Sequence, residues 1–199
     1  MDFVRYFDLL IILLFILILV GIILFLKFKK KESLIYLLFF TIFYIYIFKV
    51  LDYTLFQFQS LILLKYFMPN LILQGQTAEE SINLIPLVSL RTEELKTSFL
   101  NTLLFTPFGF GIPFITNVRM KKVVIFGTLF SLAIELLQFI TGLIAKITFR
   151  ISDINDVIFN TIGTVIGYIL FMGFLQICRK RFHRSKNKIL LYITERSGK

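Results

Sequence analysis

The sequence contains few of the side chains that carry disulfides, metals or nucleophilic chemistry. Its single cysteine, Cys178, excludes an internal disulfide, and a lone cysteine at the end of an apolar segment is expected to be inert. Its single histidine, His183, lies in a basic tail and is a poor metal ligand candidate. No nucleophile elbow, histidine pair or phosphate-binding loop is present. The familiar signatures of soluble hydrolases and nucleotide-binding enzymes are therefore missing.

Apolar residues, by contrast, are in large excess. The chain is 57% hydrophobic, has 25 phenylalanines and no tryptophan, and has a mean hydropathy of +0.85, which is outside the range of soluble domains. Because a membrane span needs about 20 apolar residues, 199 residues accommodate about five spans. We predict an all-α, multi-pass membrane helix bundle whose main partner is the lipid bilayer.

The net charge of +10 suggests nucleic-acid binding, but the distribution of the charge argues against it. Lysine and arginine gather beside apolar runs, at 27–31, at 119–122 and from Arg179 onward. Basic residues collect on the cytoplasmic side of membrane proteins. We therefore predict an outside N-terminus, a cytoplasmic C-terminus and no nucleic-acid partner.

The apolar runs and charge clusters divide the chain into four parts. We predict two N-terminal membrane helices in 1–56, an extracytoplasmic loop with short interfacial elements in 57–98, a three-helix domain in 83–178 and a basic cytoplasmic tail in 179–199.

Local signals add detail to this division. Thr77–Glu80 has the form of a helix capping box, and Pro86 predicts an extended or turn element at Asn83–Pro86. Two prolines and two glycines within 107–113 predict a kinked or broken third span. Lys49 and Asp52, three residues apart, either pair on one helix face or reach toward the membrane surface.

The last two predicted spans carry polar stripes. On a helix, the residues of the first stripe fall within an arc of roughly 100°. They are Asp153, Asp156, Asn160, Gly163, Thr164 and Gly167. Those of the preceding span fall within roughly 80° by the same geometry. They are Thr128, Ser131, Glu135, Gln138 and Gly142. Such stripes are typical of membrane helices that turn a polar face toward the inside of a bundle.

The predicted topology brings these polar groups together in the outer half of the last three spans. The candidate ligand-binding residues are Asn101, Glu135, Gln138, Arg150, Asp153, Asp156 and Asn160. A charge at mid-bilayer costs about 2.5–3.5 kcal/mol, so the three acids are expected to face inward, toward Arg150, each other or water. The alternatives are an outward-facing functional cavity and a purely structural clamp of interhelical hydrogen bonds. Candidate helix-packing residues are Pro107, Gly109, Gly163 and Gly167.

The ordered set of these residues resembles a known family. The motifs are Asn83-Leu-Ile-Pro86, Asn101-(x5)-Pro107-x-Gly109, Ser131-(x3)-Glu135-(x2)-Gln138 and Arg150-(x2)-Asp153-(x2)-Asp156-(x3)-Asn160-(x2)-Gly163-(x3)-Gly167. Together they are similar to the VanZ-like membrane proteins over residues 83–171, with Leu87 standing where an aromatic is expected. The resemblance implies a place in the bacterial cytoplasmic membrane and an association with resistance to teicoplanin-type glycopeptide antibiotics. It implies a phenotype and no settled biochemical activity.

Three function hypotheses follow. In the first, a non-enzymatic factor binds a peptidoglycan precursor or an amphiphile. Arg150 then contacts a carboxylate or phosphate, the amides orient the ligand, and the acids recognise amines or amides. In the second, an intramembrane enzyme acts on a lipid-linked or cell-wall substrate, with Glu135 as general base and Asp153 and Asp156 holding a divalent cation. The third is a small proton-coupled transporter. We favour the first, which needs no cofactor.

Overall fold

In the part of the chain that the structure describes, five helices are long and apolar enough to cross a membrane. The computed structural model describes residues 2–56, 82–83, 85–86, 92–145, 152–182 and 187–195. The candidate spans are Leu9–Phe28, Leu34–Leu55, Leu95–Ile115, Met120–Thr141 and Ile154–Arg181. The predicted all-α, five-span architecture is confirmed. The chain divides into two compact units, 1–73 and 74–199.

The first unit is a helical hairpin. Helix α1 is Asp2–Phe28 and α2 is Leu34–Leu51, followed by a π-helical turn at Asp52–Phe56. Lys31 adopts a positive φ of 55° in the connection, where the chain reverses. Ser33 caps α2, because its hydroxyl accepts the backbone N–H of Tyr36 at 3.1 Å. The predicted capping box at Thr77–Glu80 and the interfacial segments around it lie outside the described residues.

Aromatic contacts hold this hairpin together. The rings of Phe15 and Phe48 lie 4.5 Å apart, and the Tyr44 hydroxyl donates to the carbonyl oxygen of Phe15 at 3.0 Å. The outer faces carry apolar side chains such as Leu17, 69% exposed, as expected of helices that face lipid. Lys49 and Asp52 form an ion pair of 3.2 Å, so the structure shows the pairing alternative and not the favoured one, in which both reach toward the membrane surface. Both side chains are exposed, so the pair adds little stability.

The second unit contains the remaining described elements. They are β1 (Ile82–Asn83), α3 (Thr92–Ile115), α4 (Met120–Ala145), β2 (Ser152–Asp153), α5 (Ile154–Phe182) and α6 (Lys188–Glu195). Helix α3 is helical at every residue through Pro107 and Pro113. Of the predicted kink or break, the break is therefore absent. A proline removes one backbone donor but is tolerated in a membrane helix whose neighbours satisfy the freed groups.

Helices α3 and α5 approach each other through glycines. A Cβ on Gly163 or Gly167 would collide with the carbonyl oxygen of Thr102 or Thr106, and one on Gly109 would collide with that of Thr164. Small residues let helix backbones come this close in a membrane, where van der Waals packing drives association. The contacts place α3 and α5 side by side over about two helical turns.

An aromatic core fills the space beyond these glycines. Phe105, fully buried, and Phe108 pack on Phe130 of α4 with ring centroids 5.8 and 5.5 Å apart. Further along, Phe114 of α3 meets the fully buried Phe171 of α5 edge to face at 5.1 Å. These contacts fix the relative levels of the three helices.

Helix α6 folds back onto this core. The Tyr192 hydroxyl donates to the carbonyl oxygen of Phe114 at 2.6 Å, and Ile193 is buried. Arg179 of α5 donates to the carbonyl oxygen of Thr194 at 3.0 Å. Because the last carbonyls of a helix have no partner within it, Tyr192 caps the end of α3. The part predicted as a basic tail thus includes the end of α5 and a docked helix.

Candidate functional site

Six polar side chains are buried where α3, α4 and α5 meet. They are Asn101, Ser131, Glu135, Gln138, Asp156 and Asn160, and none is more than 8% exposed. We call this set the polar cluster. Burying polar and charged groups inside a membrane protein is costly, and such groups commonly mark functional positions.

Contacts between the helices show that Asn101, Ser131 and Asn160 lie at one level. Asn160 donates its side-chain N–H to the Ser131 hydroxyl at 2.8 Å, which joins α5 to α4. The Thr102 hydroxyl lies 3.2 Å from the carbonyl oxygen of Phe159, so Asn101 and Asn160 occupy neighbouring turns. Asn101 also shares its helix face with Phe105, whose ring packs on α4. The cluster therefore forms a layer next to the aromatic core, toward the starts of α3 and α5 and the end of α4.

The two acids of the polar cluster come from different helices. Glu135 belongs to α4 and lies one turn from Ser131, whereas Asp156 lies in the first turn of α5, one turn from Asn160. Gln138 follows Glu135 by three residues on the buried face of α4. Carboxylates and amides from three helices are thus brought together, as the polar stripes suggested.

Asp153 differs from its predicted place on the helical stripe. It precedes α5, in β2, and its Oδ1 accepts the backbone N–H of Asn155 at 2.8 Å. This is the geometry of an N-cap residue, whose backbone is not helical. The prediction that Asp153 continues the polar arc of α5 is wrong, because its carboxylate satisfies the open N–H groups at the helix start.

The Asn83–Pro86 element contacts Asp153, the residue that caps α5. Ile82 and Asn83 pair in parallel with Ser152 and Asp153. The Asn83 side chain donates to Asp153 Oδ1 at 3.2 Å and accepts the N–H of Ile85 at 3.2 Å. The predicted extended or turn element is confirmed, and it is tied to the start of α5.

Glu135 is held by the same cap. Its Oε2 accepts the backbone N–H of Asp153 at 3.1 Å, and its carbonyl oxygen accepts the Ser152 hydroxyl at 3.1 Å. The buried carboxylate thus has a fixed position between α4 and the start of α5. Ser152 was not among the predicted residues, because its spacing fits neither polar stripe.

Threonines extend the α4–α5 contact beyond the polar cluster. The hydroxyls of Thr128 and Thr161 are 3.0 Å apart, and a Cβ on Gly127 would collide with the Thr164 side chain. The Thr164 hydroxyl donates to the carbonyl oxygen of Asn160, within the same helix, at 3.0 Å. Gly127 was missed from the sequence, since a single glycine within an apolar helix gives no periodic signal.

The two asparagines of the polar cluster each have one buried atom with no hydrogen-bond partner among the described residues. They are the Nδ2 donor of Asn101 and the Oδ1 acceptor of Asn160. Buried polar atoms are nearly always paired, and an unpaired one costs about 1–3 kcal/mol. Their side chains are 5% and 4% exposed. Asn101 therefore has a donor, and Asn160 an acceptor, available to a further group.

The other predicted residues have varied positions. Arg150 lies outside the described residues, and Pro107 is exposed on the surface of α3. Gly109, Gly163 and Gly167 lie at the α3–α5 contact. Within the described part of the chain, no group of three or more His, Cys, Asp or Glu side chains is arranged to hold a metal ion.

Comparison with known proteins identifies a family. The family model VanZ/LLP1 matches residues 53–178, a range that contains α3, α4, most of α5 and the whole polar cluster. No curated protein and no solved structure matches the chain. Because the matched range covers more than half of the 199 residues, the chain belongs to the VanZ/LLP1 family of multi-pass membrane proteins.

Proposed function

We propose that this protein lowers the susceptibility of a bacterium to teicoplanin-type glycopeptides by binding a cell-envelope ligand in the polar cluster, from the outer side of the cytoplasmic membrane. The observation that carries the proposal is the burial of two carboxylates and four uncharged polar side chains between α3, α4 and α5. Helix packing alone is already provided by the glycine and phenylalanine contacts, so it does not require this costly layer.

The positioning of Glu135 supports binding. Its carboxylate is oriented by the backbone of Asp153, and its helix is fixed to α5 through Ser131 and Asn160. A preorganised polar group loses little conformational freedom when a ligand arrives. The cluster is therefore built to present its side chains in fixed directions.

The enzyme hypothesis has less support from the geometry. It requires Asp153 and Asp156 to hold a divalent cation, but Asp153 Oδ1 already accepts N–H groups from Asn83 and Asn155. Asp153 therefore acts in this account as a cap that orders the start of α5. The proposal assigns recognition to Asp156 and Glu135, the two acids buried in the polar cluster.

The test is teicoplanin susceptibility of a sensitive bacterium that expresses the wild type, Asp156→Asn or Glu135→Gln. The wild type is expected to protect, and both variants are expected to lose protection at unchanged membrane abundance. Asp52→Asn is the matched control, because Asp52 lies exposed in the first unit. Loss of membrane insertion in both cluster variants would support the structural clamp instead. No protection by a well-inserted wild type would contradict the proposal.

A further inference from the structure

The free side-chain atoms of Asn101 and Asn160 have opposite hydrogen-bonding character. Asn101 Nδ2 can only donate, and Asn160 Oδ1 can only accept. Among the described residues neither has a partner, although both side chains are more than nine-tenths buried. A ligand that enters the layer is therefore expected to bring one acceptor and one donor.

The direction of the Asn160 acceptor is fixed by its other end. Asn160 Nδ2 donates to Ser131 at 2.8 Å, so the planar amide group directs Oδ1 away from that contact. Asn101 lies at the same level, on the α3 face that packs against α4. Both groups thus border the same layer between the three helices.

Hydrogen-bond chemistry selects among ligand groups. An ammonium group only donates and leaves Asn101 Nδ2 unpaired, whereas a carboxylate only accepts and leaves Asn160 Oδ1 unpaired. An amide carries a carbonyl acceptor and an N–H donor on adjacent atoms, and both need partners away from water. An amide group can therefore pair with both atoms at once through two different atoms of its own, whereas a hydroxyl would use its single oxygen for both.

We propose that the polar cluster recognises an amide group of its ligand, with Asn101 Nδ2 donating to the carbonyl oxygen and Asn160 Oδ1 accepting the N–H. This inference rests on the proposed function, because it names the chemical class of the ligand bound by that same cluster. It gives the two asparagines separate roles, which an ester isostere distinguishes. An ester keeps the carbonyl oxygen but has no N–H.

The experiment uses the full chain in lipid nanodiscs and two single-group probes, N-hexylhexanamide and its ester isostere hexyl hexanoate. Binding of the tritiated amide is measured, and each unlabelled probe is used as competitor. For the wild type, the ester is expected to compete at least about tenfold less well than the amide, because it leaves Asn160 Oδ1 unpaired.

Two single variants separate the roles of Asn160 and Asn101. Asn160→Leu is expected to weaken amide binding and bring the amide-to-ester ratio close to one. Asn101→Leu is expected to weaken both probes and keep the ratio, since both carry the carbonyl oxygen. The double variant Ser131→Ala with Asn160→Leu repeats the Asn160 test without leaving the Ser131 hydroxyl unpaired. Asn117→Leu, in the exposed α3–α4 connection, is the matched control.

Failure of this inference is distinguishable from failure of the proposed function. Equal competition by amide and ester, absence of saturable binding to the wild type, or a ratio unchanged in Asn160→Leu overturns amide recognition. If cells still need Asp156 for protection in that case, the proposed function stands with another ligand class. If Asn160→Leu removes the preference for the amide and Asn101→Leu keeps it, but the wild type gives no protection, amide recognition stands and the resistance role is contradicted.

Discussion

The backbone N–H of Asp153 donates to the side-chain carboxylate of Glu135 at 3.1 Å, across 18 residues of sequence. This contact joins the buried face of α4 to the start of α5. The Asp153 carboxylate also accepts a hydrogen bond from the side chain of Asn83, in the segment before α3. Three distant parts of the chain thus meet at one capped helix start, beside the polar cluster.

Substitution of Asp153 separates its capping role from its charge. Asparagine is as good an N-cap as aspartate, whereas alanine at such positions costs about 0.5–2 kcal/mol. We therefore expect Asp153→Asn to keep a thermal midpoint close to the wild type and Asp153→Ala to lower it, measured by thermal unfolding in detergent. If Asp153→Asn is as stable as the wild type but loses teicoplanin protection, the charge of Asp153 acts in recognition and the capping account is incomplete.

The glycine contacts predict a sharp difference within α5. Gly163→Ala introduces a Cβ against the backbone of Thr102, whereas Gly173 has nothing within 4 Å of an added Cβ. We expect Gly163→Ala to destabilise the fold by about 1–3 kcal/mol, the usual cost of overpacking. Gly173→Ala is the matched control and is expected to be neutral or slightly stabilising. Equal midpoints of thermal unfolding for the two variants would show that α3 and α5 do not pack this closely.

The hydroxyl of Tyr192 predicts a local effect. Tyr192→Phe keeps the ring but removes the hydrogen bond to the carbonyl oxygen of Phe114, worth about 1 kcal/mol. Hydrogen exchange is expected to become faster in 188–195 and to stay unchanged around Asn160. Unchanged exchange in 188–195 would indicate that other contacts, such as that of Arg179 with Thr194, hold α6 in place.

Much of this fold could be predicted because its signals are local. Runs of apolar residues give the five spans, and the spacing of Asp156, Asn160 and Gly163 places one polar and small face on α5. Local periodicity also explains the error at Asp153. An acidic residue at helical spacing looks the same in sequence whether it continues the helix or caps it, and the contacts of Asp153 with Asn155 and Asn83 distinguish the two.

Other features depend on tertiary contacts and have no local signal. Helix α6 has only eight residues, too few to be stable alone, and it is helical because Tyr192 and Ile193 pack on the rest of the second unit. Ser152 and Gly127 gain their roles from residues on neighbouring elements. Such positions follow from the packing of the helices, which hydrophobic periodicity alone does not determine.

Binding of a ligand from the cell envelope requires that the polar cluster open toward the outside of the cell. Cysteine labelling tests this most directly. In a Cys178→Ala background, Ser152→Cys places a thiol beside Glu135, and Asn117→Cys places one in the exposed α3–α4 connection. A membrane-impermeant maleimide is added to intact and to permeabilised cells. We predict that Ser152→Cys reacts in intact cells and that Asn117→Cys reacts only after permeabilisation. The reverse pattern would place the cluster on the cytoplasmic side and contradict binding of an external ligand.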